Sequence, residues 1–182
     1  MPKNLFQKSI FALLTVIITV HAFVFFSLYV VNGNALMTAT NATSVLGALR
    51  TMGGVSLCGR ICPVWAVILI EFVLAFSSEM LIGSPTSFKL ACRIFDPKKT
   101  HPVLFETAII SATVAIMCPL MSFIAAWLYY PYAMGFNLLT LLANFLKLVC
   151  FNFPFAFFSQ LFFIQPLVRT VFKSLFKNNG EA

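Results

Sequence analysis

"EFVLAFSSEMLIGSP" (71–85) and "NFPFAFFSQLFFIQP" (152–166) decide how this chain is read. Set 81 residues apart, Phe72, Ala75, Phe76, Ser78 and Pro85 align with Phe153, Ala156, Phe157, Ser159 and Pro166. Glu71 aligns with Asn152 and Glu79 with Gln160, so both acids of the first copy meet amides in the second. Each copy sits inside a long apolar run. A carboxylate there is costly, and polar residues within such runs turn toward other helices. The repeated stretch therefore describes one face of one kind of helix, present twice.

Composition says what surrounds it. Apolar residues make up 60% of the 182-residue chain, charged ones 9%, and mean hydropathy is +0.96. A soluble domain carries about 25% charged residues, so the fold class is an all-α integral membrane protein. A spanning helix needs about 20 apolar residues, and four stretches supply them, near 9–31, 62–84, 104–130 and 138–164. The first has an apolar region longer than the ~7–15 residues of a signal-peptide core, and it pairs with an internal segment, so it is read as a retained helix.

Net charge is +7, and Lys and Arg number 12. Nine border one side of the four spans: Lys3, Lys8, Lys89, Arg93, Lys98, Lys99, Arg169, Lys173 and Lys177. Arg50, Arg60 and Lys147 fall on the other. The positive-inside rule puts both termini and the 86–102 loop in the cytoplasm, with the basic clusters against anionic headgroups of the cell membrane. No soluble segment mixes basic and aromatic residues as nucleic-acid binders do, so no nucleic-acid partner is expected.

The first and third spans align more weakly at an offset of 98, with "TV" at 15–16 and 113–114. The chain is thus read as two tandem, parallel two-helix hairpins, residues 1–102 and 103–182. Such repeats are related by an axis along the membrane normal, as in some transporters.

"RIFDPKK" (93–99), "MCPLMS" (117–122), "NFP" (152–154) and "QPLVRTVF" (165–172) resemble a bacterial membrane family known as domain of unknown function 2798. The resemblance covers most of the chain outside the longer first outer loop. It implies a small bacterial inner-membrane protein of two hairpins, with an acidic residue at the position of Glu71. It implies no activity.

At 100° per residue, Glu71, Ala75 and Ser78 share a face of the second span, with Glu79 at its edge; Asn152, Ala156 and Ser159 match it on the fourth, with Gln160 at the edge. Ala75 and Ala156 are small enough to let these two helices approach each other closely. At 1.5 Å per residue Glu71 lies roughly 13 Å below the outer boundary and His21 of the first span roughly 18 Å above the inner one, so the two are near one depth. Two readings of Glu71 follow. In the leading one it is a proton or cation site of a small secondary carrier for an unknown solute, with Asn152, His21, Ser78 and Ser159 around it and Glu79 and Gln160 as secondary candidates. In the other these polar residues join helices in a non-transporting assembly or regulatory protein. Four helices leave little room for a pathway, which makes a homodimer a candidate assembly.

The other charged residues need no site. Glu79, near the cytoplasmic boundary, suits solvation or pairing with Lys89, and Glu106 suits a helix N-terminus. Cys58, Cys62, Cys92, Cys118 and Cys150 lack zinc spacing, and unpaired thiols are expected, with a Cys58–Cys62 bridge the lesser alternative. No nucleophile–base pair, phosphate loop or metal cluster is visible; neither an enzyme nor a cofactor is expected.

Overall fold

The computed structural model describes residues 4–176; Lys3 and Lys177 of the basic clusters lie outside that range. Helix α1 (Leu5–Phe25) runs on through a π-helical segment, Phe26–Val31. Two short helices follow, α2 (Gly33–Thr40) and α3 (Val45–Met52), then strands β1 (Val55–Leu57) and β2 (Arg60–Cys62). Helix α4 (Val64–Ser78) passes through a π segment, Glu79–Gly83, into α5 (Ser84–Ile94). Helix α6 (Pro102–Leu128) stands alone, and α7 (Leu138–Ser159) passes through Gln160–Ile164, also π-helical, into α8 (Gln165–Leu175). Among the described residues four helices are long and apolar enough to cross a membrane: Phe6–Val31, Val64–Ile94, Pro102–Leu128 and Leu138–Leu175.

The second and fourth spans run well past the ends expected at residues 84 and 164. Pro85 and Pro166 explain both the expectation and the outcome. A proline inside an α-helix collides with the carbonyl four residues earlier, here that of Leu81 or Phe162. Both carbonyls lie in π segments, where the backbone is one residue wider per turn. The ring is accommodated, and helix continues to Ile94 and Leu175. Pro119 and Pro154, by contrast, sit inside α6 and α7 without any break in the assigned helix.

Spanning helices pack in a ring: α1 on α4, α5 on α6, α6 on α7 and α8 on α1. The second and fourth spans occupy opposite corners, so α4 and α7 are not a close-packed pair. Ala156, expected against Ala75, is instead buried with Val114 and Cys118 of α6, and Phe23 of α1 closes over them. The buried stripes are small residues: Ala12, Val16 and Val20 on α1, and Cys118, Ser122 and Ala126 on α6. Such stripes let backbones approach where hydrophobic burial gives no advantage over lipid. Large side chains point outward, with Trp65, Leu81, Leu139 and Phe163 all at least 70% exposed, as a lipid-facing surface requires.

At the end holding residues 32–62 the loop is ordered. Ser44 caps α3, its hydroxyl accepting from the Gly47 N–H at 3.1 Å, and Gly53 ends it with φ +75°. The helix begins and ends with the "VLGALRTM" pattern, and Val45, Ala48 and Leu49 are its buried face. The two-stranded hairpin was not expected. Its turn is Cys58-Gly59, both left-handed (φ 49° and 77°), the geometry that matches the twist of a two-residue hairpin. All five cysteines are free thiols; Cys62 pairs across the hairpin with Val55, not with Cys58.

Candidate functional site

Glu71 lies two turns into α4 and faces the end of α6. The Tyr129 hydroxyl donates to its Oε1 in a short hydrogen bond. The hairpin sets that contact, because the Cys58 N–H donates to the Leu128 carbonyl at 2.7 Å and so holds the end of α6. Tyr130, next along and 3% exposed, closes the turn into α7: its hydroxyl accepts from the Asn137 N–H at 2.6 Å. The carboxyl of Glu71 therefore belongs to the joint between the second and third spans.

Asn152 belongs to the next joint. Its Nδ2 donates to the Ser122 hydroxyl of α6 at 3.2 Å, and Ser122 is buried. Gln160 belongs to the one after: its Nε2 donates to Thr19 Oγ1 of α1 at 2.8 Å, while Thr19 donates onward to the Thr15 carbonyl at 2.7 Å. Gln165 Nε2 donates back to Gln160 Oε1 at 3.3 Å, across the π segment. In the second span Ser84 donates to Glu79 Oε1 at 2.8 Å, across the corresponding segment. Lys89, one of the two expectations for Glu79, forms no ion pair with it among the described residues; Glu79 Oε2 and Met117 of α6 both lie where a Cβ on Gly83 would sit.

The remaining residues named from the sequence stand apart. His21 is exposed, and its Nδ1 donates to the Ile17 carbonyl of its own helix at 2.8 Å. Ser159 donates to the Phe155 carbonyl of its own helix. Ser78 is half-buried where α4 turns into its π segment. Glu71, Asn152 and His21 thus bond to different partners rather than to one another. Among the described residues no group of His, Cys, Asp or Glu is placed to hold a metal ion.

One contact carried no local signal. Arg169 of α8 forms an ion pair with Glu106 of α6, 63 residues away. The Glu106 side chain is 16% exposed, which ties the fourth span to the third at the basic end. Chemically, the arrangement is a set of one-to-one polar pairs, each joining neighbouring spans.

Neither a curated protein nor a solved structure matches the chain. The model of the family described as Domain of unknown function (DUF2798) matches residues 98–176. The match takes in "MCPLMS", "NFP" and "QPLVRTVF" with α6, α7 and α8, and leaves the first hairpin and Glu71 outside. The likeness to the family described as Domain of unknown function (DUF2798) thus covers 79 of the 182 residues, those from 98 to 176.

Proposed function

We propose that this multi-pass membrane protein is a non-transporting, non-catalytic assembly or regulatory component of a bacterial cell membrane, with its polar residues serving as interhelical glue. The observation that carries the reading is the distribution of partners. Glu71–Tyr129, Asn152–Ser122, Gln160–Thr19 and Arg169–Glu106 each join one span to the next. Polar pairs of this kind in membranes are worth about 0.6–2 kcal/mol each, enough to fix a ring of helices that lipid would otherwise wet equally well. The nine-to-three charge bias supports cytoplasmic termini. The π segments Glu79–Gly83 and Gln160–Ile164, set apart by the same 81 residues as the repeated stretches and each crossed by a side-chain bond, support two tandem hairpins.

A second reading keeps Glu71 as the coupling site of a proton- or cation-driven carrier. What favours it is the π geometry at Glu79–Gly83 and Gln160–Ile164, since π segments occur often at functional sites. Proteoliposomes separate the two. With a panel of solutes and an imposed pH gradient, the glue reading expects no flux that depends on Glu71. Flux abolished by Glu71→Gln in a folded protein would replace it with the carrier.

A further inference from the structure

Among the clefts on the molecule, one combines an apolar channel with an unused cation. It is an open groove of ≈ 480 Å³ between the first two spans, roofed by α3. His21 and Leu28 of the first span, Leu46 and Leu49 of α3 and Ile68 of α4 line it, together with Arg50 of α3. The Arg50 side chain is exposed and, among the described residues, has no hydrogen bond or ion pair. Seven of its thirteen lining residues, His21 to Tyr29 on the first span and Val64 and Ile68 on the second, belong to helices long and apolar enough to cross a membrane, which sets the groove beside hydrocarbon. Along the first span its lining runs from Tyr29 to His21, a descent of about 12 Å at 1.5 Å per residue, within one leaflet of a core about 30 Å thick.

We infer that this groove binds one anionic phospholipid from the leaflet on the 32–62 side. An acyl chain lies between α1 and α4 under α3, and the phosphate meets the Arg50 guanidinium. Charge complementarity selects the occupant. A guanidinium fork fits phosphate in two parallel hydrogen bonds, and a zwitterionic headgroup offers it a phosphate already opposed by its own cation. A soluble anion would meet Arg50 but leave the apolar channel wet. A protein helix would be too wide for a cleft this size, since a helix with its side chains is about 10–12 Å across.

The test uses the full chain in detergent, stripped of lipid and titrated with phosphatidylglycerol or phosphatidylcholine under native mass spectrometry. The expected result is saturable binding of one phosphatidylglycerol at least about tenfold tighter than phosphatidylcholine, since a hydrogen bond to a charged group is worth that factor or more. Arg50→Gln should bring phosphatidylglycerol down to the phosphatidylcholine level. Arg60→Gln, which removes the same charge from the neighbouring hairpin, should leave the preference intact. Leu46→Trp, at a position 51% exposed and so tolerant of a larger side chain, should weaken both lipids by crowding the channel. Equal affinity for the two lipids, an unchanged preference in Arg50→Gln, an equal loss in Arg60→Gln or full binding by Leu46→Trp would each overturn the site.

Discussion

Asn152 and Gly54 show two ways in which a single residue fixes this structure. Asn152 supplies the buried Ser122 hydroxyl with an interhelical partner. Asn152→Leu keeps the volume and removes the bond, so melting in detergent should show a loss of about 0.6–2 kcal/mol; unchanged melting would mean the pair contributes nothing. Gly54 acts through the backbone. Its φ is +143°, and a Cβ there would lie 2.0 Å from the Cys62 carbonyl oxygen. Gly54→Ala should therefore cost more than about 1 kcal/mol, with enhanced proteolysis in the 53–62 hairpin as the readout. At this scale the sequence was half legible. Glu71, Asn152 and Gln160 announce themselves as polar residues in apolar runs. Their partners Tyr129, Ser122 and Thr19 are 58, 30 and 141 residues away, and no local pattern sets the register between helices.

Among elements, the extensions α5 and α8 depart most from the sequence reading. Pro85 and Pro166 were visible as matched positions, and a proline normally ends a helix. At Pro85 and Pro166 the clashing carbonyl lies in a π segment, which accommodates the ring, whereas Pro119 and Pro154 are carried within α6 and α7 with no such segment before them. Basic residues then continue on a helix rather than a loop, which brings Arg169 to Glu106. Arg169→Gln should lower stability by about 1 kcal/mol or less, because the Arg169 side chain is 37% exposed and water screens the pair. Raising salt should narrow the gap between parent and variant; a gap that salt leaves untouched would mean the pair acts through packing alone. The hairpin escaped the sequence reading for another reason. Strands of three residues are too short to show alternation, and the Cys-Gly turn is not among the common hairpin dipeptides.

Across the whole molecule, the number of helices long and apolar enough to cross a membrane was legible, because hydropathy over about 20 residues is a strong signal, whereas the ends of the second and fourth were not. Neighbour order was not. Ala75 and Ala156 match in the repeat, yet the ring sets their helices on opposite corners, and Ala156 finds α6. The orientation proposed from charge can be tested with a native thiol. Cys58 is exposed at the hairpin tip; as the sole cysteine in intact cells it should react with an impermeant maleimide, whereas Lys98→Cys in a cysteine-free chain should not. The reverse labelling would invert the topology. The central claim is that Glu71 is half of a joint between spans. A double-mutant cycle on detergent stability with Glu71→Ala and Tyr129→Phe tests it most directly. The joint predicts a coupling of about 0.6–2 kcal/mol, the double variant losing little more than either single one. Additive losses would contradict it, showing that Glu71 and Tyr129 stabilise the ring independently.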